Sequence, residues 1–219
     1  EPEDRPPAPE APRRGLLGAP EGTGRGIDEA LGASPATVAA VAEVDVRTVA
    51  DLVLRAPARL DLGGGWTDTP PYSLERGGCV INAAVDLNGQ PPIHAYARVI
   101  AEPEIRIASI DHGVHVVIRD LDDLMDYRSP ESKFGLAKAA LALGGFSSEA
   151  AGWPREARSL ADRLRLFGGG IELTTLAAIP SGSGLGTSSI MGAVLTAVIR
   201  RMTGRPEEPR RLFHEVLRL

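Results

Sequence analysis

The sequence predicts an α+β fold, and the order of its segments is the main reason. Short segments with alternating apolar residues fill the stretch 51–119, whereas segments with helical spacing dominate from 133 onward. Strands grouped before helices, with little strand–helix alternation, are typical of α+β folds rather than of doubly wound sheets. A chain of 219 residues with 43% hydrophobic residues is also long enough to bury a core.

The first 50 residues differ in composition from the rest of the chain. Residues 1–26 are rich in Pro, Gly, Glu and Arg, and such a segment buries too little apolar surface to offset the entropy lost on ordering. We therefore expect a disordered linker over 1–26. Residues 27–50 are predicted to form a helical lead-in, because Pro35 can begin a helix and the apolar residues after it fall near helical spacing. The folded domain is expected to span 51–219.

Strands are predicted throughout the first half of this domain. The first is Asp51–Leu62, which ends at the glycine triplet 63–65 and opens into a loop that runs through Pro71. Asn88-Gly89 and the residues 111–113 supply turn chemistry between later strands. Those strands are expected at 79–85, 93–101, 104–109 and 114–119.

The second half is predicted to be mainly helical, with one strand at 171–179. The glycine triplet 168–170 ends one of these helices, and Gly204 with Pro206 ends another. The helices are expected at 133–143, 157–167, 188–202 and 210–219.

The segment Ile179–Ile190, here called the phosphate loop, carries the strongest functional signal. It lies between a predicted strand and a predicted helix, where free amide groups and the helix dipole favour an anion. Its three glycines let the backbone approach a ligand closely, and its four hydroxyls can bind phosphate oxygens or a hard cation such as Mg²⁺. The glycines are Gly182, Gly184 and Gly186, and the hydroxyls belong to Ser183, Thr187, Ser188 and Ser189.

Two common nucleotide motifs do not describe this loop. It has no lysine, which excludes a Walker loop, and its glycines fall as G-x-G-x-G, which excludes the G-x-G-x-x-G dinucleotide motif. The alternative to a phosphate site is an ordinary glycine-rich turn in which a serine caps the helix.

A second constellation lies between Arg55 and Pro71. Arg59 suits the charge that develops on a transferring phosphoryl group. Asp68 could accept hydrogen bonds from sugar hydroxyls, and Trp66 offers an apolar face on which a sugar could stack. The alternative is a surface turn with an Arg–Asp salt bridge.

Together the two segments resemble the motifs of the GHMP kinase superfamily, which includes galactokinases, homoserine kinases and mevalonate kinases. The second motif of that family runs Pro-x-x-x-Gly-Leu-(Gly/Ser)-Ser-Ser-(Ala/Ser). Thr187 replaces the usual serine and keeps its hydroxyl, and Ile190 is bulkier than the usual small residue. The matching residues are Pro180, Gly184, Leu185, Gly186, Ser188 and Ser189.

This resemblance implies the N-terminal half of a GHMP kinase, with a fold like that of domain 2 of ribosomal protein S5. It implies that ATP and Mg²⁺ are used, that Ser188 contributes to the metal site, and that Arg59 lies beside the transferred phosphate as a catalytic residue. The sugar is expected to contact Gly65, Trp66 and Asp68. The expected ATP-binding residues are Pro180, Gly182, Ser183, Gly184, Leu185, Gly186, Thr187, Ser188 and Ser189.

Three segments are similar in sequence to the L-fucokinase branch, which includes the kinase half of bifunctional fucokinase/fucose-1-phosphate guanylyltransferases. The segments are Asp61–Pro71, Gly168–Leu173 and Gly184–Ile190. The resemblance implies phosphorylation of L-fucose, or a close sugar, at the anomeric hydroxyl, which feeds GDP-L-fucose salvage. A heptose-phosphate kinase of the same superfamily is an alternative, although its first motif usually lacks the tryptophan and the proline pair.

Members of the superfamily also carry a third motif with a catalytic Asp and a ferredoxin-like C-terminal half. No residue up to Leu219 matches that Asp, so we expect a truncated kinase that is inactive by itself. A non-catalytic nucleotide- or sugar-binding module is the alternative. Fucokinase architecture further implies a nucleotidyltransferase domain upstream.

Charge and composition restrict the partners and the location. A net charge of −5 gives no basis for general nucleic-acid binding, and the apolar run 190–199 is too short to cross a bilayer. Cys79 is the only cysteine, which excludes an internal disulfide and fits a reducing compartment. We therefore expect a small sugar as partner, no nucleic acid, no membrane, and a cytoplasmic location.

Overall fold

A computed structural model of the chain describes residues 51–150, 152–180, 182–205 and 208–219. The linker predicted over 1–26 and the helix predicted over 27–50 lie outside the described residues. Strands β1 to β7 span Leu52–Ala56, Ala58–Gly63, Ile81–Val85, Ile93–Ile100, Ile105–Ser109, Val114–Ile118 and Gly170–Ala177. Helices α1 to α6 span Tyr72–Arg76, Leu121–Met125, Gly135–Leu141, Leu160–Phe167, Thr187–Met202 and Pro209–Val216.

The main sheet contains five strands in the order β1-β4-β7-β5-β6. β5 and β7 are parallel and the other neighbours are antiparallel. Alternate residues of β4 and β5 are buried, so one face of the sheet forms the core. Helix α5 packs across β4 and β1 on this core, and α3 packs beside α5. The predicted α+β fold is confirmed.

The segment Asp51–Leu62 is not one strand, so that prediction is wrong. Pro57 separates β1, which belongs to the main sheet, from β2, which pairs with β3 in a separate two-stranded hairpin. Proline carries no amide donor and therefore interrupts a strand ladder, and here the chain changes sheets at that point. The change brings β2 next to α5.

Turns and helix ends otherwise lie close to their predicted positions. Asn88 and Gly89 both have positive φ, and Leu87 and Gln90 exchange two backbone hydrogen bonds of 2.9 Å across them, as in a tight hairpin turn. The helix predicted over 133–143 is shorter, because α3 gives way to a wider helical turn over Ala142–Phe146. Within the described ranges, no helix is both long and apolar enough to cross a membrane.

Candidate active site

The phosphate loop leads from the end of β7 into the first turn of α5. Gly182, Gly184 and Gly186 all have positive φ, between 71° and 75°. A Cβ atom on Gly182 or Gly184 would meet no other atom within 4 Å, so these two positions border open space. Leu185, in contrast, packs against the core and fixes the loop to the domain. Ser181 lies outside the described residues.

Helix α5 begins at Thr187 without a side-chain cap. Gly186 occupies the N-cap position with a left-handed backbone, and no side chain accepts a hydrogen bond from the first turn. The serine cap in the alternative interpretation is therefore wrong, and the phosphate-binding role of the loop stays a prediction. Because the first amides of a helix have no partner within the helix, those of α5 are available to a bound anion.

The hydroxyls around this helix start are also unused. Ser188 and Ser189 are exposed and Thr187 is half-buried. Among the residues that the structure describes, these three side chains and the side chain of Ser183 have no hydrogen-bond partner. The start of this helix combines glycines that border open space with unpaired amides and unpaired hydroxyls. Such groups can bind the phosphates of a nucleoside triphosphate, so the loop fits ATP.

Strand β2 brings Arg59 to this loop. The backbone N–H of Arg59 donates a 3.1 Å hydrogen bond to the carbonyl oxygen of Leu185. A Cβ atom placed on Gly186 would lie 3.4 Å from Nε and 3.6 Å from Cζ of Arg59. The guanidinium, which is about half exposed at 48%, therefore lies beside the first turn of α5.

Asp61 forms an ion pair with the guanidinium of Arg59. Its Oδ2 accepts a 3.1 Å hydrogen bond from Nη2 of Arg59. The same Oδ2 would lie 3.8 Å from a Cβ atom on Gly65, so the carboxylate stands between Arg59 and the following turn. We did not select Asp61 from the sequence, although residues two apart on a strand share a face. The alternative interpretation, a surface Arg–Asp pair, matches this contact. It does not include the contact of Arg59 with the phosphate loop.

The residues 64–69, here called the tryptophan turn, follow β2. Trp66 has a positive φ of 72° and is 84% exposed, and Asp68 is also exposed. Neither side chain has a hydrogen bond, ion pair or ring contact with another described residue. Both are therefore accessible to a ligand, and the sugar-binding roles of Gly65, Trp66 and Asp68 stay predictions.

The metal role of Ser188 also stays a prediction. Over the described parts of the chain, His, Cys, Asp and Glu form no group of three that could hold a metal ion. A Mg²⁺ ion that accompanies a nucleotide takes most of its ligands from phosphates and water, so it does not need such a group.

Comparison with known sequences gives two relatives. The chain is 47% identical over 150 residues to a protein of Bacteroides fragilis named L-fucokinase/L-fucose-1-P guanylyltransferase, over 68% of this chain and 16% of that protein. It is 33% identical over 161 residues to the bifunctional fucokinase/GDP-fucose pyrophosphorylase of Arabidopsis thaliana, over 74% of this chain and 14% of that protein. The chain thus spans about one sixth of these relatives. No protein-family model matches it.

Comparison with solved structures supports the fold. The mevalonate kinase of Methanococcus jannaschii superposes with a TM-score of 0.56 at 13% identity, over 77% of this chain and 45% of that one. The galactokinase of Lactococcus lactis superposes with a TM-score of 0.52 at 18% identity, over 76% of this chain and 36% of that one. At such low identity these superpositions show a shared fold.

Proposed function

Because the chain belongs to the GHMP kinase superfamily, we propose that it forms the nucleotide-binding part of an ATP-dependent kinase that phosphorylates L-fucose at the anomeric hydroxyl. The observation that carries this proposal is the position of Arg59, whose side chain lies against Gly186 at the uncapped start of α5. A fixed cation beside free helix amides is suited to phosphoryl transfer. The choice of L-fucose is supported by the names of the two sequence relatives.

The phosphate loop would hold the triphosphate. The amides of Gly182 and of residues 184–189 provide hydrogen-bond donors, whereas the Ser183 amide donates to the carbonyl oxygen of Pro180. The left-handed glycines keep side chains away from the ligand. Ile179 and Leu185 pack in or against the core on the two sides of the loop. Pro180 is the expected ATP contact at its start, and Ser188 is the expected hydroxyl ligand of Mg²⁺. When bound, ATP supplies the phosphoryl group and Mg²⁺ neutralises charge on the phosphates.

Arg59 would stabilise the charge on the transferring group. Its guanidinium is held by Asp61 on one side and borders Gly186 on the other, so it is oriented before the substrate arrives. A charge that is already oriented stabilises the transition state more than a mobile side chain does, because no reorganisation is needed during the reaction.

The tryptophan turn would orient the sugar. The carboxylate of Asp68 can accept hydrogen bonds from adjacent hydroxyls, and the exposed ring of Trp66 can stack on an apolar sugar face. Gly65 leaves room beside the carboxylate of Asp61. Holding the sugar close to the phosphoryl group would lower the entropic part of the barrier.

The whole protein would couple this kinase to a second activity. The names of both relatives add a second activity to fucokinase, a guanylyltransferase in one and a pyrophosphorylase in the other. We propose that the parent protein likewise contains a nucleotidyltransferase domain and converts L-fucose to GDP-L-fucose. The cytoplasmic location also stays a prediction.

The decisive experiment measures ADP release by the full-length gene product with L-fucose, D-arabinose and a heptose phosphate. We expect turnover with L-fucose, whereas turnover with the heptose phosphate alone would contradict the proposal and favour the other branch. Calorimetry with Mg²⁺–ATP on the 219-residue chain tests the loop separately. The Ser188→Ala variant should bind Mg²⁺–ATP more weakly, whereas Ser148→Ala, an exposed serine outside the site, should not.

A further inference from the structure

The tryptophan turn is fastened to the strand hairpin by one hydroxyl. Oγ1 of Thr67 lies 2.6 Å from the carbonyl oxygen of Gly64 and 3.0 Å from that of Cys79, and it accepts a 3.0 Å hydrogen bond from the backbone N–H of Cys79. A hydroxyl carries one proton, so it donates to one of these carbonyls at a time, or shares the proton between them, while it accepts from the amide. It thus joins two backbone segments that are 12 residues apart in the sequence.

Two glycines allow the segments to come this close. A Cβ atom on Gly64 would overlap with the carbonyl oxygen of Cys79, and one on Gly78 would overlap with the carbonyl oxygen of Thr67. The crossing is therefore tight on both sides of the hydroxyl. We call this set of contacts the threonine clasp: Gly64, Thr67, Gly78 and Cys79.

The residues of the clasp lie outside the buried core cluster of the described residues. The residues of the hairpin strands β2 and β3 are mostly exposed, and Gly64, Gly78 and Cys79 are exposed as well. Thr67 is half-buried and lies between Trp66 and Asp68, whose side chains have no partner of their own among described residues. Two backbone hydrogen bonds shape the turn itself, from Thr67 to Gly64 and from Thr69 to Trp66. The clasp adds the contacts that attach this turn to the segment at Cys79.

We infer that Thr67 is a positioning residue, whose hydroxyl fixes the tryptophan turn so that Trp66 and Asp68 face the sugar in one orientation. This inference rests on the proposed function, because it assigns the turn to the sugar rather than to ATP. Thr67 itself touches neither reactant. Its side chain is occupied by the backbone contacts of the clasp.

The test uses two substitutions at one position. Thr67→Val keeps the shape of the side chain and removes the hydroxyl, whereas Thr67→Ser keeps the hydroxyl. A displacement of about 1 Å can reduce activity by about 100-fold, so Thr67→Val should raise the KM for L-fucose by roughly 10- to 100-fold in the full-length gene product. The KM for ATP should change by less than about threefold, and Thr67→Ser should restore most of the lost affinity.

Thr203→Val is the matched control. Oγ1 of Thr203 also bonds two backbone carbonyls, those of Ile199 and Arg200, at the end of α5 and outside the site. This variant should leave both KM values unchanged. Equal increases in the two KM values for Thr67→Val, or no increase in either, would overturn the inference.

A second measurement examines the clasp without any substrate. In the unsubstituted protein, the Cys79 amide should exchange with solvent more slowly than the Gly78 amide, which has no acceptor among described residues. Equal exchange would overturn the inference even if Thr67→Val did not fold. A slow Cys79 amide in a protein that does not phosphorylate L-fucose would refute the proposed function and leave the clasp intact.

Discussion

The backbone N–H of Arg59 donates a 3.1 Å hydrogen bond to the carbonyl oxygen of Leu185. Both groups belong to the main chain, so replacing either side chain leaves donor and acceptor in place. Strand β2 therefore stays attached to the phosphate loop in side-chain variants. The effect of changing the Arg59 side chain can accordingly be assigned to the guanidinium.

We predict that Arg59→Ala lowers kcat by about 100-fold, because one preorganised donor to the transition state is typically worth that much. The KM for ATP should change little, since the phosphates are held mainly by backbone amides of the loop. Steady-state ADP release in the full-length gene product measures both constants. Arg165→Ala removes another exposed arginine, paired with Asp162, and should have no effect on kcat. A normal kcat for Arg59→Ala would exclude the assigned role.

Asp61→Asn should also lower kcat, by about tenfold, because the neutral amide holds the guanidinium less firmly. The melting temperature should hardly change, since an exposed ion pair contributes little to stability. The control is Glu208→Gln, which neutralises the partner of Arg211 in another exposed pair. A large drop in melting temperature with a normal kcat would show that Asp61 supports the hairpin rather than Arg59.

We predict that Gly186→Ala weakens ATP binding because it distorts the backbone of the phosphate loop. The position has a φ of 71°, so alanine would strain the loop backbone, and its Cβ would lie in van der Waals contact with the Arg59 side chain. Gly204 has a similar φ of 66° but open space around it. A left-handed alanine costs about 1–2 kcal/mol at either position, so both variants should lose similar stability in urea titrations. Only Gly186→Ala should raise the Kd for Mg²⁺–ATP in calorimetry, and equal Kd values would contradict this prediction.

Local chemistry explains why the backbone geometry of the phosphate loop could be predicted from the sequence. The phosphate loop depends on residue types within one short segment, and positive φ at Gly182, Gly184 and Gly186 is confirmed. The turn at Asn88-Gly89 was predictable for the same reason. In each case the residues that define the feature are neighbours in the sequence.

Features that depend on distant residues could not be predicted in this way. The single strand predicted over 51–62 failed because Pro57 moves the chain to another sheet, and periodicity does not report which strands pair. The clasp between Thr67 and Cys79 joins segments that no local pattern connects. Lys138 likewise lies on a predicted helix, but its partners come from a different helix and turn.

Lys138 has a side chain that is only 2% exposed, and its Nζ lies 2.8 Å from Oδ1 of Asp123 and 2.7 Å from Oδ1 of Asp126. We predict that Lys138→Met destabilises the fold, because it leaves two carboxylates without their cation. The loss of unfolding free energy should be about 1–3 kcal/mol, less than for a fully buried pair, because both carboxylates are partly exposed. The exposed Lys133 offers the control Lys133→Met, which should unfold at the same urea concentration as the unsubstituted protein.

The same cluster predicts how stability depends on pH. Partial burial acts to raise the pKa of Asp126, but hydrogen bonds from Lys138 and Ser132 outweigh it and hold the pKa below its ordinary value. A carboxyl whose pKa is lower in the folded state contributes fully above the ordinary value of about 3.9, and the contribution is lost as the pH falls through the folded value. Unfolding free energy should therefore decrease more steeply below about pH 4 in the unsubstituted protein than in Lys138→Met. Parallel curves from urea titrations between about pH 2 and pH 6 would show that Lys138 does not set the pKa of Asp126.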